Sequence, residues 1–304
     1  MIEMKDICKS YNGKPALDKL DLSVREGEFF CLLGGNGEGK TTLLRILTGY
    51  LEADGGEAVV GGIDVIRNPH RVRKIIGYVP AEFGLYDNLR VIDYMEYFAY
   101  IYGLTGEAQR KRCRFLLELV HLEELLEARV DTLSVDGRQR LSLARCLIHE
   151  PKLLILDEFM SRVDDRSRQE LKELLNEIHE EGKTIVLTSN IFAELVGLHP
   201  TLGVIKSGKM ILRGTWQEIT EQLNDANPLE LQVADGREAA VAVLKESQAV
   251  TNISIDGGLI IAGFTGDRKE QVRLLQEMVT RGVSVVSFQR RKSDLEESFL
   301  QLIG

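Results

Sequence analysis

Residues 29–42 read Phe-Phe-Cys-Leu-Leu-Gly-Gly-Asn-Gly-Glu-Gly-Lys-Thr-Thr, and this stretch decides the fold. Phe29 to Leu33 is a continuous apolar run, the pattern of a strand buried on both faces. A glycine-rich turn follows, and Thr41 to Tyr50 carries a helical pattern. Gly34 to Thr41 fits G-x-x-x-x-G-K-[ST], with the strand before it and the helix after it that the pattern requires. Glycines let backbone N–H groups curl round a phosphate chain, and the helix N-terminus adds the positive end of its dipole. Lys40 can reach the β and γ phosphates as a point charge, and the Thr41 hydroxyl can ligate Mg²⁺. Gly34, Gly35, Asn36, Gly37, Glu38, Gly39, Lys40, Thr41 and Thr42 are therefore the candidate nucleotide ligands. Glu38 is the odd member, because a carboxylate suits a phosphate cradle only if it points to solvent.

The second half of such a site is Lys152-Leu-Leu-Ile-Leu-Asp157-Glu158. Four apolar residues bury a strand and deliver two carboxylates at its carboxyl end, where ligands sit in open α/β sheets. Asp157 is placed to hold Mg²⁺ through water, and Glu158 to polarise the attacking water as general base.

Around these two segments the chain alternates. Strand-like runs lie at Ile2 to Ile7, Leu20 to Val24, Glu57 to Val60, Ile75 to Val79 and Thr184 to Ser189. Val91 to Tyr102, Glu107 to Val120, Arg138 to His149 and Ser167 to Glu181 read as helices. The expected architecture is a central sheet wound with helices, plus a helical insertion at about residues 85–150. Asp225-Ala-Asn-Pro228 marks a boundary between a domain over 1–224 and a smaller one over 228–304. The smaller one reads βαββαβ, a ferredoxin-like α+β order, and ends in a helix from Ser293 with a Glu296 capping box.

Composition bounds the partners. The 304 residues carry a net charge of −9, a poor match to the clustered cations that nucleic acid requires. There is no 18-residue apolar run and no apolar segment at the start, so neither a membrane span nor a signal peptide is expected. Cys8, Cys31, Cys113 and Cys146 are scattered and read as buried thiols in a reducing cytosol. The five histidines lack metal-ligand spacing, and His149 reads as a cation suited to the end of its helix.

At this point the residues resemble the ATP-binding subunit of an ABC transporter, over about residues 1–220. The tail is similar to the extra C-terminal domain of ATPase subunits from bacterial drug and polysaccharide exporters of the ABC-2 type. The resemblance implies a P-loop ATPase with a RecA-like core, an antiparallel β subdomain and a helical subdomain. It implies ATP and Mg²⁺ as cofactors, a membrane permease as partner, and a dimer of ATPase subunits, homomeric or heteromeric. It also implies a place on the cytoplasmic face of the cell membrane. Tyr11 sits where the family has an adenine-stacking aromatic, and Ser161-Arg-Val-Asp164 where its D-loop crosses the dimer interface. Ile76-Gly-Tyr-Val-Pro80 is similar to the segment leading into the Q-loop.

The departures fall on chemistry. The family's Q-loop glutamine is Ala81 here, followed by Glu82. The signature L-S-G-G-Q, which caps the γ phosphate bound by the opposite subunit, is Leu133-Ser134-Val135-Asp136-Gly137. Ser134 survives, while a β-branched residue and an acid replace the paired glycines. The switch histidine is Asn190, which can hydrogen-bond but cannot take up a proton near neutral pH. Nucleotide binding is therefore expected intact and turnover slow. In a homodimer both sites carry all three defects; beside a competent paralogue neither site is wholly intact.

Six of the eight tyrosines lie between Tyr78 and Tyr102, where the family receives a coupling helix of the membrane subunit. Tyr94, Tyr97, Phe98 and Ile101 share core spacing, whereas Phe83, Leu85 and Tyr86 are expected to face the groove. Two rival readings stand beside the transporter subunit. One is a degenerate regulatory subunit that binds ATP without meaningful hydrolysis; the other is an ABC ATPase working outside transport.

Overall fold

Ile2–Tyr11 (β1) and Lys14–Val24 (β2) pair antiparallel through the Asn12-Gly13 turn, where both residues have positive φ as a tight hairpin requires. The computed structural model describes residues 1–82, 84, 86, 88–219 and 228–291. The Ser293 helix and the Phe83 and Leu85 expectations lie outside the described residues, as does most of the 225–228 boundary. The chain divides into two compact units, Met1–Trp216 and the residues from Gln217 onward.

In the first unit, Phe29–Leu33 (β3) is buried at all five positions, as its continuous apolar run demands. Lys40–Leu47 (α1) follows the glycine turn and buries Leu43, Leu44, Ile46 and Leu47. Gly55–Val60 (β4) and Ile63–Asp64 (β5) join the hairpin in an antiparallel sheet of order β2-β1-β4-β5. After Pro69–Arg73 (α2) comes Ile76–Val79 (β6), then three helices, Val91–Ile101 (α3), Gly106–Leu119 (α4) and Val135–Leu147 (α5). Leu153–Leu156 (β7), Asp165–Glu180 (α6) and Thr184–Ser189 (β8) return the chain to the sheet, and Thr201–Lys206 (β9) and Lys209–Thr215 (β10) close it. The six-stranded order is β10-β9-β3-β8-β7-β6, parallel except for the β9–β10 hairpin.

One core joins the two sheets through α1: Ile2, Ile7, Leu17 and Leu20 meet Leu43, Leu47, Ile155 and Val186. A fully buried Leu or Ile contributes about 1.5–3 kcal/mol relative to exposure, so this contact fixes α1, and with it the glycine turn, against both sheets.

In the second unit, Leu229–Asp235 (β11), Arg237–Glu246 (α7), Val250–Asp256 (β12), Leu259–Phe264 (β13), Arg268–Thr280 (α8) and Ser284–Arg290 (β14) alternate as βαββαβ. The sheet order is β12-β13-β11-β14, the split-βαβ arrangement, with Leu231, Ile260, Ala262 and Phe264 packed on Leu244, Leu274 and Met278.

Several expectations are corrected. Helix α5 starts at Val135, three residues before Arg138, because the Ser134 hydroxyl accepts from the Gly137 N–H at 3.0 Å and caps it. His149 lies past the end of α5, stacked 4.1 Å from Tyr102 and bonded to the Ile76 carbonyl. Burial pushes its pKa down, so it is no helix-end cation. Of the four positions expected to share the core face of α3, Tyr94 is buried and Phe98 half-buried, while Tyr97 and Ile101 are exposed. Tyr86 is half-buried, edge-on to Tyr94 at 4.8 Å, rather than an open groove residue. Cys8 is half-buried, unlike the three buried cysteines.

Candidate nucleotide site

The carboxyl ends of β3, β7 and β8 converge where the glycine turn leaves the sheet. Gly39, the residue before α1, has φ +100°, and a Cβ there would lie 2.3 Å from the Ala16 carbonyl oxygen. At Gly34 a Cβ would lie 2.7 Å from Ile205 Cγ2. The turn thus runs against β2 and β9 at a distance only glycine permits. No side chain caps α1 and no acid stands in its first turn, so its N-terminus keeps the field that suits an anion.

A cleft of about 300 Å³ opens on this turn, lined by Tyr11, Ala16, Asn36, Gly37, Gly39, Lys40, Thr41, Thr42 and Glu158. Tyr11 is 46% exposed at the rim. Lys40 is buried, its ammonium donating to the Gly34 and Gly35 carbonyls at 2.8 and 2.9 Å and lying 3.4 Å from Glu158 Oε1. Glu38 leaves the cradle: its carboxylate accepts from the Ser207 backbone N–H and is half-buried there, rather than simply solvated.

Asp157 is fully buried beneath the cleft. Burial pushes its carboxyl above the usual range, and hydrogen bonds from Thr188 and Thr41 hold it back, with Glu158 raising and Lys40 lowering it further. The Thr188 hydroxyl donates to Asp157 Oδ1 at 2.8 Å and accepts from the Glu158 N–H at 3.0 Å. The Tyr78 hydroxyl reaches Asp157 Oδ2 at 3.4 Å. Glu158 itself adopts φ +47°, the left-handed region. Asn190 comes to the loop, its Nδ2 donating to Asn36 Oδ1 at 3.1 Å.

Ser134 does not line this cleft; its hydroxyl is spent on α5. Ala81, half-buried, and Glu82, exposed, do not line it either. Thr188 and Tyr78 were not read as site residues. Thr188 carried one signal, a hydroxyl in the otherwise apolar run Ile185 to Leu187 and Thr188. Tyr78 carried none.

The donor set is a hydroxyl, Thr41, beside one buried carboxylate, Asp157, with Glu158 next in line. These are hard oxygen ligands of the kind Mg²⁺ takes together with phosphates and waters rather than in an all-protein cage. Among the described residues no group of three or more His, Cys, Asp or Glu is arranged so that it could hold a metal ion by itself.

A second, larger cavity of about 560 Å³ lies between α1, β6, α3 and α5. Its walls are Tyr50, Tyr78, Phe98 and Tyr102, and its lining includes Arg45, Arg73, Arg145 and His149 but no carboxylate.

A buried parallel strand, a glycine turn, an uncapped helix and a paired acid at the end of β7, one strand removed across β8, define a P-loop nucleoside triphosphatase. Residues 17–161 match the ABC transporter family. The linearmycin resistance ATP-binding protein LnrL of Bacillus subtilis is 29% identical, over 100% of this chain and 98% of its own length. Nod factor export ATP-binding protein I of Rhizobium etli is 32% identical over 100% and 93%. The daunorubicin/doxorubicin resistance ATP-binding protein DrrA of Streptomyces peucetius is 31% identical over 100% and 92%. The ATP-binding cassette MJ0796, solved as a dimer in a post-hydrolysis state with ADP and Pi, matches with TM-score 0.66 and 25% identity over 71% of this chain and 98% of that one. The chain belongs to the ATP-binding proteins of ABC transporters, of the ABC-2 exporter type. It is the ATP-binding subunit of such a transporter, an ATPase that works with a separate membrane permease.

Proposed function

We propose that this subunit binds MgATP in the Tyr11–Glu158 cleft, hydrolyses it slowly, and uses closure of an ATPase dimer to move its permease. Tyr11 stacks the base, the N–H groups of Gly34 to Thr42 and the Lys40 ammonium take the phosphates, and Thr41 with Asp157 holds Mg²⁺. Glu158 activates water, and Asn190 donates a hydrogen bond to the nucleotide. Bound Mg²⁺ would supply charge neutralisation at the β and γ phosphates. Thr188 steadies the pair, because one hydroxyl engages both the Asp157 carboxylate and the Glu158 N–H.

The observation that carries the reading is the sharing of one cleft by the glycine turn, Lys40, Thr41 and Glu158. Slow turnover is supported by Ala81 lying outside that cleft, by Asn190 in the switch position, and by the occupied N-terminus of α5. Ser134 is the residue of this segment that would face the partner's nucleotide.

The permease side is proposed at the arginine-lined cavity, whose aromatic walls offer large contact area at low entropic cost. None of the described helices is long and apolar enough to cross a membrane, so attachment to the cytoplasmic face would run through the permease. The relatives named for drug resistance and Nod factor export support export as the direction.

The test is MgATPase turnover of the purified chain. An ordinary enzyme turns over about 10 times per second, and one lost preorganised donor costs ~10², which places the expected rate near ~0.1 per second. A rate of many per second sinks the proposal of slow turnover. Binding of ATP with no phosphate release favours the regulatory reading.

A further inference from the structure

After β8 the chain turns sharply through Asn190 and Ile191 into a 3-10 turn, Phe192–Leu195. Glu194 lies in this turn and is fully buried. Its Oε2 accepts from the Ser189 hydroxyl at 2.5 Å, and the same hydroxyl oxygen accepts from the Ile191 N–H at 3.0 Å. Ser189 and Ile191 flank Asn190, so the Ser189 hydroxyl closes the turn that carries Asn190, and the buried carboxylate holds that hydroxyl. The Ser189 carbonyl accepts from the Gly34 N–H at 3.2 Å, and Asn190 Nδ2 reaches Asn36 at 3.1 Å. The turn is thereby stitched to both the start and the middle of the glycine loop. From α6, Lys172 donates to the Ala193 and Val196 carbonyls at 3.2 and 2.9 Å and fixes the far side.

A buried carboxylate is an expensive way to hold a turn, since an apolar side chain of similar volume packs as well or better. Glu194 Oε1 has no hydrogen-bond partner, so the group is not there to complete a saturated network. What the carboxylate does, and a leucine would not, is accept from Ser189.

We infer that Glu194 is a positioning residue of the nucleotide site, acting through Ser189 to keep the Asn190 amide on the phosphate loop. This rests on the proposal that Asn190 acts at the nucleotide. Glu194 does not line the nucleotide cleft; it sets where the Asn190 amide stands.

The experiment is steady-state phosphate release by the full chain as wild type, Asn190→Ala, Glu194→Ala, Glu194→Gln and the double variant Asn190→Ala/Glu194→Ala. Misplacing a group by about 1 Å costs up to ~10²-fold, so each alanine variant should lose kcat by about 10- to 100-fold with KM held within about twofold. The double variant should lose no more than the worse single one, because both remove the same contact. Glu194→Gln keeps an acceptor oxygen for Ser189 and should recover kcat to within about threefold of wild type. Trp216, the chain's one tryptophan, packs 4.5 Å from Phe192 in the same turn, so its fluorescence reports the turn's response to ATP. That response should be blunted in Glu194→Ala.

Additive losses in the double variant overturn the inference, as does a Glu194→Ala kcat equal to wild type beside an impaired Asn190→Ala. Equal loss in Glu194→Gln and Glu194→Ala overturns it too. An Asn190→Ala variant with unchanged kcat removes both the Asn190 role and this inference, whereas the other failures leave that role standing. Should Glu194→Ala fail to fold, Ser189→Ala cuts the same link, and the same cycle with Asn190→Ala decides.

Discussion

Two helices of the first unit begin in opposite ways. Helix α1 leaves a glycine with φ +100°, takes no side-chain cap, and has no acid in its first turn. Helix α5 is capped by Ser134, carries Asp136 in its first turn, and draws that carboxylate 2.9 Å from Arg140 Nε. Arg140 is itself buried and donates onward to Glu170 at 2.8 Å. Both N-termini offer the same backbone dipole. One is left open to an outside anion, and the other is neutralised from within. In a family whose ATP lies between two such termini, the difference teaches that the chain has kept its grip on its own nucleotide. On the proposed reading, what it has filled in is the face offered to its partner's.

Breaking the open side should give the largest effects. Glu158→Gln removes the general base while leaving the cleft's shape, and turnover should fall by ~10²–10⁴ with ATP affinity retained. Phosphate release and nucleotide titration on the same preparation check this, and loss of binding in parallel with turnover would place Glu158 in the cradle instead. Lys40→Ala removes a charge-assisted donor worth about 1.5–3 kcal/mol, so MgATP affinity should weaken by up to about 100-fold by calorimetry. Unchanged affinity would mean that the backbone turn alone carries the phosphates.

Opening the closed side should give a smaller and opposite effect. Asp136→Gly removes the first-turn acid and leaves Arg140 paired with Glu170. A charge at a helix N-terminus is worth about 0.3–1 kcal/mol, so turnover should rise about two- to fivefold if this acid is what opposes the partner's triphosphate. A turnover that stays flat at an unchanged melting temperature would show that closure of α5 does not limit the rate.

The open side was legible because its signals are contiguous. The run from Phe29 to Thr42 holds strand, turn, cation and hydroxyl in one stretch, and each residue's role follows from its neighbours in sequence. What surrounds Asp157 was not legible, because it is assembled across the sheet. Thr188 comes from 31 residues away and Tyr78 from 79, and nothing local marks either as a partner. Glu194 is the extreme case: in sequence it is one acid in a short polar-apolar stretch, and only burial against Ser189 singles it out. The same limit explains His149: its place at the end of a helical pattern suggests a cation, whereas burial against Tyr102, which no local signal marks, pushes its pKa down. The β9–β10 hairpin is not among the expected elements, although β9 is the strand against which Gly34 packs.

The smallest effect concerns the stability cost of the open side. Asp157 is fully buried, and burial raises its pKa above that of the unfolded chain. Between the ordinary carboxylate value, about 3.9, and the raised folded one, the folded state keeps a proton that the unfolded state has lost. Stability from this group is therefore present in acid and is lost as pH rises through the folded value. Above the folded value the protein carries a buried carboxylate that the Thr188, Thr41 and Tyr78 hydroxyls only partly compensate. Asp157→Asn removes the charge and keeps an oxygen for the Thr188 hydroxyl. Without nucleotide it should melt higher than wild type at pH 7, by about 2–4 °C for ~1 kcal/mol in a domain of this size. The gap should shrink as pH falls through the folded value, below which wild type is protonated as well. The same variant should bind MgATP more weakly, since the carboxylate proposed to hold the ion is gone. A gap independent of pH, or a variant that melts lower at neutral pH, would show that the hydroxyl bonds outweigh burial. The carboxylate would then be a stabilising member of the fold rather than a cost carried for the metal.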